Sequence, residues 1–234
     1  MLGVEEFFSL STWAHRALWV SGAPVWAALH TLKSYLSALS HRIEIEIPPG
    51  VCLENADQIS IGKGTVLEPG VFIRGPCLIG ENCSIRHGAY LRGGTLLGRG
   101  CAVGHCVEIK GSILLDGACA SHLCYVGDSI LGSGVNLGAG VKCANLRLDR
   151  KEIVIHHGEE RIGTRLKKMG AILGDGVQIG CNCVLNPGTL VGRETRSDPL
   201  LSLRGVIAPK SRIQGKTLWT VEPVAEKILE QLLR

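Results

Sequence analysis

Ten aliphatic residues fall at a strict spacing of six along this chain: Ile61, Leu67, Ile73, Ile79, Ile85, Leu91, Leu97, Val103, Ile109 and Leu115. That period is neither the 3.6 of a helix nor the 2 of an alternating strand. A fixed short repeat predicts a solenoid, and a repeat of six is the signature of a β-helix. Four positions after each aliphatic comes a small or β-branched residue, from Thr65 and Val71 through Cys77, Cys83 and Cys101 to Ile113 and Cys119. Three hexads make a coil of eighteen residues, so residues eighteen apart should stack at the strand spacing of about 4.8 Å. The repeat resumes at Leu131, Leu137 and Cys143, and again at Leu173, Ile179, Leu185 and Val191.

The stretch "SHLCYVGDS", residues 121–129, breaks this beat. The step from Leu115 to Val126 is eleven residues and that from Val126 to Leu131 is five. A shortened step distorts the corner of a coil, and such distortions gather beside active sites. Both ends also differ from the repeat. Residues 4–42 carry apolar residues at three- and four-residue intervals and predict helices, as does the closing "PVAEKILEQLLR". Helices there would cap the exposed solenoid ends. The expected organisation is a helical arm over residues 1–45, a β-helix over 46–215 and a final helix over 216–234. A loop inserted at about 145–170 contains "KEIVIHHGEERIGT", which predicts a hairpin.

The 31 glycines suit a chain of tight corners, and several of the ten cysteines occupy the small repeat position, where they act as small hydrophobes. No CxxC pair occurs, so structural zinc is not expected. The N-terminus lacks the basic and apolar regions of a signal peptide, and no eighteen-residue apolar run suggests a membrane span. A cytoplasmic protein with reduced thiols is expected. The formal net charge of +4 fits a site for phosphorylated small molecules or a weak nucleic-acid surface, without choosing between them.

Stacking makes further neighbours readable. Arg74, Arg92 and Lys110 are spaced eighteen apart and should form one outer column of cations. Stacked cations repel, so unpaired they serve structure poorly and suit a phosphate well. A solvated stripe balanced by Glu68 or Glu108 is the alternative. His87 and His105 should also stack, with His122 near the same face. Three such histidines raise a metal-dependent hydratase as a distant reading, but the closely paired histidines of the gamma-class carbonic anhydrases are missing.

Four motifs in order then narrow the field: "VEIKGS" (107–112), "SHLCYVGDS" (121–129), "VNLGAG" (135–140) and "ANLRLDRK" (144–151). With "LKKMGAILGDGVQIG" and a later "NPG", they resemble the acetyltransferase half of the bifunctional N-acetylglucosamine-1-phosphate uridylyltransferase family. The likeness is nearest the "ANLR" branch of sugar-phosphate nucleotidylyl/acetyltransferases and covers roughly residues 60–200.

The resemblance implies a left-handed parallel β-helix and a homotrimer with sites between subunits. It also implies acetyl-CoA-dependent N-acetylation of an amino-sugar 1-phosphate, with no metal, nucleic acid or membrane insertion. His122 corresponds to the general base, and Arg92, Lys110 and Tyr125 to phosphate-binding residues. Asn136 and Lys151 correspond to sugar-binding residues, and Asn145 to one near the reacting amine. Ala139 and Cys181 correspond to positions near coenzyme A.

The chain departs from the better-known branch at Leu146, where that branch has a tyrosine, and in "RETRSDPLLSLRG", which loses the hexad pattern where a coenzyme A groove would continue. It also lacks a "GxGTR" loop, so it is not expected to make a nucleotide sugar itself. The second reading is a non-catalytic trimeric scaffold or sugar-phosphate sensor that partners a separate nucleotidylyltransferase.

Overall fold

The computed structural model describes residues 2–215. The helix expected over 216–234 lies outside them. The chain is mainly β and winds into a parallel solenoid of about nine turns, the left-handed β-helix. Each coil contributes one short strand to each of three eight-stranded sheets. In chain order these are sheet I (from Cys52–Glu54), sheet II (from Ile59–Ile61) and sheet III (from Val66–Leu67).

The register follows the repeat until Leu97. Ile61 pairs with Ile79 and Ile79 with Leu97, each eighteen residues on. Leu97 then pairs with Leu114, and Leu114 with Leu131, both only seventeen away. The interior position is therefore Leu114; Leu115 is turned outward and buried in a separate cluster. The interior steps run Ile109, Leu114, Ala120, Val126, Leu131, so the shortened steps are two, at Gly111–Ser112 and at Asp128–Ser129. Hexad counting misses the first because two adjacent leucines both fit. With the shift, Ser112, Ala118 and Ser129 fill the small interior slot, and Cys119 is half-buried on the outside. The two buried serine hydroxyls are satisfied: Ser112 Oγ donates to Lys110 O at 2.9 Å and Ser129 Oγ to Gly127 O at 2.8 Å.

The coil axis is filled by one continuous column of aliphatics and small residues from Ile59 to Leu203. Fully burying each large side chain contributes about 1.5–3 kcal/mol, which gives every coil its own share of the core. Residues 43–47, "IEIEI", pack Ile43, Ile45 and Ile47 onto the first coil, where Ile43 bridges Ile61. The late coils continue through the irregular "RETRSDPLLSLRG": Leu185 pairs with Leu203 and Val191 with Ile207, so the solenoid does not stop where the pattern fades.

The N-terminal segment is only partly helical, with α1 at Val4–Phe7, a 3-10 turn at Arg16–Leu18 and α2 at Ala27–Ser37. It does not cap an end. It lies along sheet II, whose outward Leu96, Ile113, Leu115, Ile130, Ile172 and Leu190 are buried against Phe7, Trp13, Trp26, Leu32 and Leu36. A sheet with both faces apolar needs a cover, and this arm supplies it. Ser9 N donates to Asp175 Oδ2 at 2.8 Å and Asp175 N to Phe7 O at 3.0 Å, pinning the arm to a coil corner. The insert forms the expected hairpin, Val154–His157 against Glu160–Gly163, and Ile153 and Ile155 join the same outer cluster. No helix among the described residues is long and apolar enough to cross a membrane.

Candidate functional site

The first group of expected site residues forms a column at the corner between sheets III and I. His122 pairs with His105 in register, and Gly140 N donates to His122 O at 2.9 Å. Asn182 N donates to Ala139 O at 2.8 Å. His122, Ala139 and Cys181 therefore occupy the same place in three successive coils. Below them, the His87 and His105 rings stack with centroids 5.7 Å apart and planes 11° from parallel. Their Nδ1 atoms donate to Pro69 O and His87 O, at 2.6 and 3.1 Å, and His105 Nε2 lies 3.3 Å from Cys106 Sγ. This is a ladder, not a convergent set. Among the described residues, no three His, Cys, Asp or Glu side chains gather as metal ligands would.

The corner is made by a residue in the left-handed region immediately after each column member: Gly88 at φ 72°, Cys106 at φ 51°, Leu123 at φ 54°, Gly140 at φ 74° and Asn182 at φ 55°. Leucine is a poor choice for that conformation, and Leu123 is also 58% exposed. Strain and exposed apolar surface coincide next to His122, itself exposed.

The second group lies on the outer face of sheet I and at its corner with sheet II. Arg92 Nη1 donates to Glu108 Oε1 at 2.8 Å, and its guanidinium stands 5.9 Å from the centre of the Tyr90 ring. Lys110 Nζ donates to both oxygens of Asp128, at 2.7 and 2.8 Å, and Asn145 Nδ2 donates to Asp128 as well. Tyr125 and Asn145 meet over Gly127, where a Cβ would lie 2.6 Å from Tyr125 Oη and 2.7 Å from Asn145 Nδ2. Burial pushes the Tyr125 phenol above its usual range, and the Asp128 and Glu108 carboxylates add to the shift.

The cation column is thus present but not bare. Arg74 is paired to Glu54 at 2.8 Å, Arg92 to Glu108 and Lys110 to Asp128. Coil register explains the first pair, since Glu54 sits directly beside Arg74. Asp128 escaped the repeat arithmetic because it belongs to a corner, not to a strand. The signal for it was the five-residue step around "VGDS". Glu108 was visible only as a possible counter-charge.

Arg92, Lys110, Tyr125 and Asn145 are brought together, and His122, Ala139 and Cys181 are stacked. Asn136 and Lys151 stand apart from both hydrogen-bonded groups. Asn136 is exposed on sheet III between Cys119 and Gln178. Lys151 is exposed on the insert, where its amide donates to Asp149 Oδ1 at 3.2 Å. Arg147 also holds Asp149, at 2.8 and 2.6 Å, and keeps that carboxyl well below the usual range. Cys124 is buried, with its thiol pushed up by burial, and so has the environment of an inert packing residue.

A family profile described as the GMPPB C-terminal domain matches residues 73–195, which include both groups. An uncharacterized acetyltransferase, YaiX, of Escherichia coli O6:K15:H31 is 31% identical over 169 residues, covering 72% of this chain and 74% of that one. A bifunctional sugar-1-phosphate nucleotidylyltransferase/acetyltransferase of Sulfurisphaera tokodaii is 42% identical over 78 residues, 33% of this chain. That match spans only 20% of the Sulfurisphaera protein. The solved UDP-N-acetylglucosamine acyltransferase of Francisella novicida is 16% identical, with a TM-score of 0.39 over 74% of this chain and 59% of that one, too distant to say more. Matched over more than half its length, the chain belongs to the GMPPB C-terminal domain family, the left-handed β-helix acetyltransferase domains to which its motifs point.

Proposed function

We propose that the chain is a hexapeptide-repeat acyltransferase that moves an acetyl group from acetyl-CoA to the amine of an amino-sugar 1-phosphate resembling glucosamine 1-phosphate. The observation that carries the reading is the column His122, Ala139, Cys181 beside a face bearing Arg92, Tyr125 and Asn145. A neutral imidazole at His122 takes a proton from the sugar ammonium or its attacking amine. The amine nitrogen bonds to the thioester carbonyl carbon, backbone N–H groups hold the oxyanion, and coenzyme A leaves as its thiol. Small Ala139 lets the pantetheine arm approach the coil. Arg92 exchanges Glu108 for the substrate phosphate.

The two groups lie at opposite ends of one side of a coil. From His122 to Gly127 the chain spans five residues, at most roughly 17 Å, so the two groups border one face of the coil. That face is exposed at His122, and a neighbouring copy in a homotrimer would close it over the substrate. The setting is cytoplasmic, with a separate nucleotidylyltransferase using the product.

Incubating the protein with acetyl-CoA and a panel of amino-sugar 1-phosphates, with free thiol as the readout, tests the proposal. Thiol release that depends on the sugar phosphate supports it. Release no faster than acetyl-CoA hydrolysis would sink it. Saturable sugar-phosphate binding without release would instead favour the scaffold or sensor reading, which draws support from the carboxylates already paired with the cation column.

A further inference from the structure

The second shortened step of the solenoid is built around one carboxylate. Asp128 occupies the corner itself at φ 44°, a conformation that Asp and Asn tolerate better than other side-chain residues. Its side chain is only 18% exposed. The corner is fitted closely to it: a Cβ on Gly111 would come within 2.5 Å of Asp128 Oδ1, at a residue whose own φ is 57°.

Asp128 fixes the direction of the hydrogen bonds that follow it. An ionised carboxylate only accepts, and the Lys110 ammonium donates to both of its oxygens, at 2.7 and 2.8 Å. Asn145 must therefore present its amide NH2 to Asp128, and its second N–H faces Tyr125 Oη over Gly127. The phenol oxygen then accepts from Asn145, whose donation opposes the upward shift of the phenol, and keeps its own hydrogen free. Asn145 Oδ1 is left as an acceptor.

We propose that Asp128 is a positioning residue. Through Asn145 it sets Tyr125 as a donor toward an anionic oxygen of the substrate, and Asn145 Oδ1 as an acceptor toward a substrate amine or hydroxyl. This rests on the reading that Tyr125 and Asn145 meet the sugar phosphate. It assigns Lys110 a different task, that of holding Asp128 in place.

Asp128→Asn tests the idea, because asparagine has the same shape and also tolerates the corner. The first readout needs no substrate. The chain has three tyrosines, and a Tyr125→Phe variant identifies the Tyr125 step in a spectrophotometric titration of tyrosinate. The phenol faces Asp128, Glu108 and Arg92, with Lys110 beyond Asp128 and Lys142 on the next strand. Removing the Asp128 charge should lower the Tyr125 midpoint. A midpoint that stays at its wild-type position overturns the proposal.

The second readout is kcat/KM in two backgrounds. Asp128→Asn should cost on the order of 10²-fold in the otherwise wild-type enzyme, as a misplaced contact does. In an Asn145→Ala background it should cost little more, since the group it acts through is gone. Equal losses in both backgrounds overturn it. If the wild-type protein releases no thiol at all, the proposed function fails, and the titration alone decides the role of Asp128.

Discussion

Arg92 Nη1 rests 2.8 Å from Glu108 Oε1, and both side chains are more than a third exposed, at 38% and 36%. An ion pair this open contributes at most about 1 kcal/mol, so an incoming phosphate can replace the carboxylate. We predict that Arg92→Ala loses a charge-assisted contact of about 1.5–3 kcal/mol, which is roughly ten- to hundred-fold in kcat/KM. The loss should fall on phosphorylated sugars and spare free glucosamine. Glu108→Gln should act in the opposite direction on phosphate affinity, seen as stronger competitive inhibition by inorganic phosphate. Equal losses on phosphorylated and free sugars would remove Arg92 from the phosphate site.

Lys110 is predicted to behave differently from Arg92, although the repeat places them side by side. Its ammonium is engaged with both oxygens of a mostly buried Asp128. Lys110→Ala leaves that carboxylate without its cation and loosens Asn145. Activity on phosphorylated and free sugars should fall together. Selective loss on the phosphorylated sugar would restore Lys110 to a direct phosphate contact.

The solenoid was legible because its repeat is a packing rule. Each sixth residue must enter the axis, and aliphatics from Ile61 to Leu97 obey it without exception. Register failed at Leu114–Leu115 because both are leucines and both are buried, one inside the coil and one beneath the arm. The arm's path was not legible. Its apolar spacing reveals that one side is covered, but not whether the cover is a coil end or a flank. The outward Leu96, Ile113, Ile130 and Ile172 held that information, since each stands next to an interior residue where a solvated face would be polar. In the site, stacking and motif likeness converged on Arg92 and Lys110, while His122 rested on motif likeness. The carboxylates that partner the cations come from corners and adjoining coils, which a list of spacings along one column does not include.

The arm's attachment leads to a prediction about stability. Asp175 accepts the amides of Ser9 and Ser133, each at 2.8 Å, and so joins the arm to two coils. Asp175→Ala removes both hydrogen bonds, and since Ser9 is exposed and Ser133 half-buried each is worth about 0.5–1.5 kcal/mol net. The melting temperature should fall. Trypsin should cut first at Arg16 or Lys33, while the coil sequence stays protected. Simultaneous cleavage of arm and coils would show that the arm does not open separately.

His122→Ala should lower turnover by about 10²- to 10⁴-fold, the range for a lost general base. Because the side chain is exposed at its corner, the melting temperature should change little. His105→Ala is the informative control. It removes the ring one coil below, in the same column, and should leave turnover near the wild-type value. If the two variants lost activity equally, the base would have to be reassigned or shared along the ladder.

The arm should also loosen in mild acid, through His15. Its ring packs edge-on to Trp13, with centroids 5.3 Å apart, and its Nδ1 is 2.9 Å from Tyr35 Oη. Burial lowers its pKa from the ordinary 6.5, while the Asp116 carboxylate partly opposes that shift. A folded-state pKa below the unfolded one means that the unfolded chain takes up the proton first as pH falls. The stability contribution is therefore complete above about pH 6.5 and is lost as pH falls through the lower, folded value. The melting temperature should decline across that window, accompanied by a change in tryptophan emission as the arm lifts and Trp13 meets water. His15→Gln should flatten this part of the pH profile without touching the decline at lower pH that carboxylates cause. An unchanged profile in His15→Gln would show that another group governs the acid response of the arm.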